Sequence, residues 1–163
     1  MVSYIGIINN ILSSSIILTY LIPLFLLYIT KSIVHLEAFI GLIGVNIISE
    51  YIKRYIVGYN NVRPIGATDC DLFCLDGNQS GQPGMPSSHS ASVAFFSAFY
   101  FQKTKNIYVK ILLVIYSSLV MLSRYFKKCH TIEQIMVGGI LGIGLSLIYI
   151  VILRYLIENK TVR

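Results

Sequence analysis

Charged side chains are scarce in this chain. Lys, Arg, Asp and Glu together make up 12% of its 163 residues, whereas soluble domains are about one quarter charged. Hydrophobic residues reach 55%, and the mean hydropathy is +0.72. This composition excludes an ordinary soluble domain and predicts a chain embedded in a lipid bilayer. The length suits a single domain.

Patterns that would bind a metal are also missing. The three cysteines have no zinc-binding spacing. Asp69, Asp71 and Asp76 lie close together in sequence, but they lack the EF-hand spacing, so a solvated loop is the prediction. The sequence therefore predicts neither a metal nor an organic cofactor. Cys70 and Cys74 can pair as a disulfide if their loop faces an oxidising compartment, and this possibility stays open.

A nucleic-acid partner is excluded as well. The net charge is +6, but no basic stripe with interleaved aromatic residues accompanies it. The basic residues instead fall at the ends of apolar runs, where membrane topology places them. The first residues lack a basic n-region, so we expect no cleavable signal peptide.

The chain does contain a series of apolar runs that can cross a membrane. The predicted fold is all-α, a polytopic membrane bundle of about five helices that forms one domain over residues 1–163. Residues 1–12 are predicted to be an interfacial helix or a lead-in to the first span. The predicted spans are approximately residues 14–30, 33–52, 87–102, 107–123 and 131–153.

Two features of these runs concern packing and connection. Gly138, Gly142 and Ser146 recur at four-residue spacing, which predicts a helix-packing face in the last span. Residues 55–85 form the one long loop, rich in Gly, Pro, Asn and Asp, and a loop of this length in a small domain is usually functional or disordered.

Counting membrane crossings places the polar clusters on one side of the bilayer. With five spans, the second and fourth end on the face where the third and fifth begin. That face carries Lys53, Arg54, Arg63, His89, Arg124 and His130. The other face carries Lys31, Lys103, Lys105, Lys110, Arg154, Lys160 and Arg163. The positive-inside rule makes the second face cytoplasmic, so the polar clusters face the lumen or the cell exterior.

The most informative stretch is Gly84-Met85-Pro86-Ser87-Ser88-His89-Ser90, just before the third span. A proline followed by hydroxyls predicts a helix N-terminus. Such a terminus presents unpaired N–H groups that suit an anion, and a histidine there can move a proton near neutral pH. Taken alone, the stretch is equally typical of an ordinary capped helix.

The other clusters favour an anionic substrate handled without a metal. Several cations and two histidines converge, and neither a carboxylate pair nor a Cys/His ligand set accompanies them. Guanidinium, ammonium and helix-end N–H groups can neutralise a phosphoryl group during its transfer. One imidazole can attack phosphorus while the other protonates the leaving oxygen.

Three motifs carry a resemblance to a known family. Pro86-Ser87-Ser88-His89 and Ser123-Arg124-x5-His130 resemble the second and third motifs of the type 2 phosphatidate phosphatase superfamily, and Arg63-Pro64 resembles its first. Gly84 to Ser90 and His130-Thr131 with Gln134 resemble the dolichyl diphosphatase branch. The resemblance covers roughly residues 50–142.

The resemblance implies a role for each motif residue. His130 is the nucleophile and His89 the general acid. The phosphate-binding set comprises Arg63, Arg124, Ser88 and the backbone N–H groups around Ser87 and Ser88. Cys129 lacks the following Arg of a cysteine phosphatase, which excludes that mechanism.

Two positions depart from the superfamily pattern. The first-motif lysine is expected at the place of Ile56, whereas Lys53 and Arg54 stand about one helical turn earlier; Lys53 is the favoured substitute, and Glu50 can pair with either. Gln134 stands where most of the superfamily has Asp. It can still orient His130 through its carbonyl oxygen, but Thr131-x-x-Gln134 is also a capping box.

These observations together predict an enzyme integral to a membrane with a lumenal or extracytoplasmic active site, and the membrane is that of the endoplasmic reticulum if the chain is eukaryotic. We expect it to hydrolyse a polyprenyl diphosphate of the dolichyl type to the monophosphate through a phosphohistidine. One alternative is a broad lipid phosphatase for phosphatidate, lysophosphatidate or sphingoid-base phosphates. Another is a non-catalytic lipid-binding relative. The sequence does not fix the oligomeric state.

Overall fold

The computed structural model describes residues 4–71, 73 and 75–161. Its helices are α1 (Tyr4–Ser14), α2 (Ile16–Thr30), α3 (Ile33–Tyr51), α4 (Ser88–Lys103), α5 (Ile107–Phe126) and α6 (Ile132–Thr161). A π-helical turn, Ile52–Val57, and a 3-10 turn, Gly58–Asn60, extend α3. The described residues form no strand, only two isolated β-bridges, so the all-α prediction is confirmed.

Four stretches of the described chain are long and apolar enough to cross a membrane. They are Gly6–Thr30, Ile33–Asn60, Ile107–Phe126 and Ile132–Leu156. The first joins α1 to α2, so the N-terminal residues from Gly6 onward act as a lead-in to the first span. The protein is therefore an integral membrane protein built from a helical bundle.

The third predicted span, residues 87–102, is not among these four and corresponds to the central helix α4. It has 16 residues, ten of them buried, and it packs against α2, α3, α5 and α6. At about 1.5 Å per residue it is shorter than the roughly 30 Å hydrocarbon core. Because the other helices enclose it, α4 does not have to match the bilayer by itself.

Small residues let α6 approach α4 closely. A Cβ atom added at Gly138 or Gly142 would collide with the carbonyl oxygens of Ser87 and Ala91. Ser146, one turn further along, is fully buried. The predicted packing face is therefore present, and it brings the start of α6 against the start of α4.

The core lies below this junction, where α3, α4 and α6 meet. Its buried members include Leu42, Phe95, Phe99 and Ile150. This packing fixes the ends of three helices relative to one another, and the polar clusters sit on those ends.

The long loop starts later than predicted, after Asn60, because the π-helical and 3-10 turns prolong α3. Its three aspartates hold its own backbone. Asp76 accepts from the N–H of Cys70 at 2.6 Å, Asp71 from that of Leu75 at 2.7 Å, and Asp69 from that of Gly77 at 3.0 Å. These carboxylates order the loop instead of extending freely into solvent.

The structure corrects the disulfide considered from the sequence. Cys70 is bonded to Cys129, 59 residues away, with 5.5 Å between the two Cα atoms, and both residues are buried. A pair with Cys74 is therefore excluded, and Cys74 lies outside the described residues. The bond ties the long loop to the short turn between α5 and α6.

Candidate active site

A cavity of about 550 Å³ opens at one end of the bundle, where the predicted polar clusters meet. Five of the predicted site residues line it. They are Lys53, Arg63, Ser88, His89 and His130. The cavity continues into the bundle past Tyr20, Asn46 and Ser92. The structure thus brings the three motifs together at a single cavity, as counting spans predicted.

The N-terminus of α4 is built as the second motif predicted. Ser87 is the N-cap, and its Oγ accepts from the N–H of Ser90 at 3.4 Å and lies 3.1 Å from the Ser90 hydroxyl. Its own N–H donates to the carbonyl of Gln134 at 3.0 Å. Both polar groups of Ser87 are therefore engaged within the protein, and Ser87 does not line the cavity. The geometry gives it a positioning role, in place of the direct phosphate contact that was expected there.

Ser88, Lys53 and Glu50 form a compact hydrogen-bonded group on the cavity wall. Lys53 Nζ donates to Glu50 Oε1 at 2.5 Å and to Ser88 Oγ at 2.6 Å, and Ser88 Oγ donates to the same carboxylate oxygen at 2.6 Å. Sequence reasoning anticipated the pairing of Glu50 with a basic residue. Its bond to Ser88, 38 positions away, had no local signal.

Burial distinguishes the two candidates for the first-motif base. Lys53 is 5% exposed and reaches into the cavity, whereas the Arg54 side chain is 69% exposed and pairs with Glu50 at 3.2 Å. The π-helical turn that contains both residues has more residues per turn than an α-helix, so its side chains point in different directions. This turn explains how Lys53 serves the site while Ile56, at the expected position, points outward with 65% exposure.

Arg63 supplies unpaired donors. Its Nε and Nη1 atoms are buried, and they have no hydrogen-bond partner among the described residues. A buried guanidinium with open N–H groups is costly unless an anion completes it. Arg63 thus brings donors that an anion in the cavity could use.

Arg124 was predicted to hold a phosphate oxygen, but its side chain bonds to other parts of the protein. It is fully buried, and it donates from Nη1 to Ser13 Oγ and from Nη2 to the Cys70 carbonyl at 2.5 Å. It does not line the cavity. Arg124 holds the loop and α1 in place, and its charge acts on the neighbouring His130 through the protein interior.

His130 lies in the turn between α5 and α6 and is 2% exposed. Its N–H and that of Cys129 both donate to the Arg124 carbonyl, at 3.3 and 3.0 Å. Burial, reinforced by the positive charges of Arg124 and Arg63, lowers the pKa of His130 well below its ordinary value. The imidazole is therefore neutral at physiological pH, as a nucleophile requires.

Gln134 fixes which nitrogen of His130 is available. Its Nε2 donates to Asn61 Oδ1 at 2.6 Å and to the Val62 carbonyl at 2.8 Å, so its Oε1 must face His130. Oε1 lies 3.0 Å from His130 Nδ1. An amide oxygen accepts only, so Nδ1 carries the proton and Nε2 keeps its lone pair.

The same amide completes the capping box at the start of α6. The N–H of Thr131 donates to Gln134 Oε1 at 3.2 Å, and the N–H of Gln134 donates to Thr131 Oγ1 at 3.3 Å. The orienting and capping roles, considered as alternatives from the sequence, coexist in one side chain.

His89 completes the cavity. Its Nε2 atom is buried and has no partner within the described part of the chain. His89 and His130 thus line the same cavity.

Some residues of the site were not identified from the sequence. Asn61 holds Gln134, the carbonyl of Cys70 holds Arg124, and Cys129 anchors the turn before His130. A cysteine next to a motif histidine was the only available signal, and its partner lies 59 residues away.

Comparison with known proteins gives the same family as the motifs. The profile described as PAP2 superfamily matches residues 11–158. Lipid phosphate phosphatase epsilon 2, chloroplastic, from Arabidopsis thaliana is 31% identical over 115 residues, which is 66% of this chain and 35% of that protein. The chain thus spans about a third of the length of this relative. No solved structure matches it. Since the profile match extends over nearly the whole chain and includes all three motifs, the chain belongs to the PAP2 superfamily.

Proposed function

We propose that this protein is a phosphatase that hydrolyses a lipid phosphate through a phosphohistidine on His130. The observation that carries the proposal is the tautomer of His130. Gln134 holds the proton on Nδ1, and the other imidazole, His89, lines the same cavity. Family membership and the lipid phosphate phosphatase named above support the same activity.

The first half-reaction transfers the phosphoryl group to the protein. The Nε2 lone pair of His130 attacks phosphorus, and the bond from phosphorus to the lipid-side oxygen breaks. His89 takes the proton of the bound phosphate monoanion and gives it to that oxygen, so that the lipid leaves protonated. Arg63 and Lys53 neutralise the negative charge on the phosphoryl oxygens.

The second half-reaction restores the protein. Neutral His89 removes a proton from water, the resulting hydroxide oxygen bonds to phosphorus, and the P–N bond to His130 breaks. Inorganic phosphate takes that proton from His89 as it leaves, and both imidazoles regain their starting protonation states. The steps use only water and the protein's own side chains.

Two lipid classes follow from different observations. The residues of the second and third motifs resemble those of dolichyl diphosphatases, and this resemblance favours a polyprenyl diphosphate as the substrate. The chloroplastic relative is named a lipid phosphate phosphatase, which favours a broader range such as phosphatidate, lysophosphatidate and sphingoid-base phosphates.

We also propose that the cavity faces the lumen or the cell exterior. The Cys70–Cys129 disulfide lies at the cavity end of the bundle, and disulfides persist in oxidising compartments. The basic residues at the opposite end support the same orientation.

Phosphate release by the purified protein in detergent tests this proposal. We expect release from lipid phosphates that persists in EDTA and is blocked by vanadate, which mimics the five-coordinate phosphoryl group. The His130→Ala variant should be well folded and inactive. Wild-type protein that binds lipid phosphates without releasing phosphate would instead identify a non-catalytic relative.

A further inference from the structure

The substrate cavity contains a second polar group that the phosphoryl chemistry does not use. Asn46 Nδ2 donates to the Tyr20 hydroxyl oxygen at 3.2 Å, and that hydroxyl lies 3.2 Å from Ser92 Oγ. The three side chains come from α3, α2 and α4, and all line the cavity of His89 and His130. We call Tyr20, Asn46 and Ser92 the polar trio.

The polar trio lies one helical turn deeper in the bundle than the phosphate-binding residues. Ser92 follows Ser88 by four residues on α4, and Asn46 precedes Glu50 by four residues on α3. Four residues of helix span about 6 Å. A lipid phosphate bound at Ser88 and Lys53 would therefore place the part of the lipid next to its phosphate ester beside the trio.

The trio has hydrogen-bonding capacity left over. Asn46 Oδ1 has no partner among the described residues, and Asn46 is exposed although it lies within the candidate span Ile33–Asn60. The walls beside it are apolar and include Ile16, Ile43 and Ile47. An amide oxygen without a partner in such surroundings is unfavourable, so a matching polar group on the ligand would be held.

Charge decides what kind of group fits. The trio is neutral, and the Glu50 carboxylate lines the cavity one turn above Asn46. A second phosphate at this depth would meet that carboxylate without a cation of its own, because Lys53 and Arg63 would already neutralise the first phosphate. A hydroxyl group can instead donate to Asn46 Oδ1 and accept from a hydroxyl of the trio, and an N–H group can make the first of these two bonds.

From this arrangement we infer that the polar trio is a specificity subsite for a lipid monophosphate that carries a hydroxyl or N–H group within a few bonds of its phosphate ester. The inference rests on the proposed function, since the phosphate must bind at Ser88 and Lys53. It favours lysophosphatidate and sphingoid-base phosphates over a polyprenyl diphosphate, whose chain offers no hydrogen-bonding group.

Two probes that differ by one hydroxyl test the subsite. The first is 1-palmitoyl lysophosphatidate, and the second is its analogue built on propane-1,3-diol, which lacks only the secondary hydroxyl. We expect wild-type protein to show a kcat/KM about fivefold to tenfold higher for the hydroxylated probe. Tyr20→Phe and Asn46→Leu should bring that ratio close to one.

Matched controls separate recognition from packing. Ser97→Ala removes a hydroxyl from the same helix as Ser92, but Ser97 bonds to the Leu113 carbonyl outside this cavity. Tyr149→Phe removes a tyrosine hydroxyl that donates to the Glu37 carbonyl. Both variants should keep the wild-type ratio.

Equal kcat/KM values for the two probes in wild-type protein would overturn the inference. So would a ratio that survives in Tyr20→Phe and Asn46→Leu, because the trio would then serve only to join helices. If wild-type protein hydrolyses neither probe, the proposed function fails, and binding decides the subsite by itself. In that case the His130→Ala variant should still bind the hydroxylated probe about fivefold more tightly than it binds the propane-1,3-diol analogue. Equal Kd values for the two probes would overturn the subsite.

Discussion

The side-chain oxygen of Gln134 lies 3.0 Å from Nδ1 of His130. The motif resemblance leads one to expect an aspartate at this position. In this chain a neutral amide holds the imidazole instead. It fixes the tautomer as a carboxylate would, but it adds no negative charge to stabilise an imidazolium. The lowered pKa of His130 agrees with this environment, in which burial and two guanidinium groups are not opposed by a carboxylate.

Replacing Gln134 by Leu should lower kcat by at least about tenfold, because the imidazole then loses the acceptor that fixes its tautomer. Circular dichroism and thermal unfolding in detergent would show whether the helix is retained. Thr131→Val is the control, since it removes the reciprocal capping contact but leaves the contact between Gln134 and His130 intact. If the two variants lose the same activity, the amide serves the helix and not the histidine.

In a plot of kcat/KM against pH, activity should fall on the acidic side with a midpoint below the ordinary histidine pKa of about 6.5. We call this fall the acidic limb. The nucleophile must be unprotonated, and a lowered pKa keeps His130 unprotonated to more acidic pH. Activity should thus hold as the pH falls to about 6.5 and decline only below it. Arg63→Gln removes one of the charges that lower this pKa, so its acidic limb should shift to higher pH. A limb at or above pH 6.5 in wild-type protein, or no shift in the variant, would contradict this assignment.

Lys53 and Arg54 provide a matched pair of neighbouring cations. Lys53→Met should lower kcat/KM by about a hundredfold, since Lys53 is a buried donor in the cavity. Arg54→Met should change it by less than about threefold, because its exposed ion pair with Glu50 is solvent-screened. Steady-state kinetics on one lipid phosphate suffices. The opposite ranking of the two variants would transfer the first-motif role to Arg54.

The disulfide should contribute to both stability and activity. Cys129→Ser opens a loop of 59 residues and should destabilise the protein by about 2–4 kcal/mol. Activity should fall as well, because the bond anchors the turn that precedes His130. Thermal unfolding with and without reductant measures the first effect. Cys74→Ser is the control, and it should match wild-type protein in both measurements.

Thiol labelling provides an independent check of the pairing. In unreduced protein only one cysteine, Cys74, should react with an alkylating reagent after denaturation. Labelling of Cys70 or Cys129 under those conditions would be inconsistent with the bond between them.

Local patterns accounted for the spans, the caps and the face that carries the site. The apolar runs located α2 to α6, and the hydroxyls around Ser87 located the start of α4. Counting crossings then placed His89 and His130 at the same end of the bundle. The spans and caps need only short windows of sequence, and the shared end needs only the number of spans, which is why these inferences agree with the structure.

The remaining features depend on contacts between distant parts of the chain. The partner of Cys70 is 59 residues away, and the bond from Ser88 to Glu50 joins α4 to α3. The π-helical turn that carries Lys53 has no sequence signature of its own. The polar trio could not be predicted from the sequence, because Tyr20, Asn46 and Ser92 each lie singly in an apolar run. Only the packing of the helices brings them together.

The most direct measurement is detection of the covalent intermediate. Wild-type protein mixed with a lipid phosphate labelled in its phosphoryl group and quenched within milliseconds should carry acid-labile, base-stable label on His130, located by peptide mass spectrometry. His89→Ala should carry little label, because the leaving oxygen is no longer protonated, and His130→Ala should carry none. Label on another residue, or phosphate release at the wild-type rate from His130→Ala, would contradict the account.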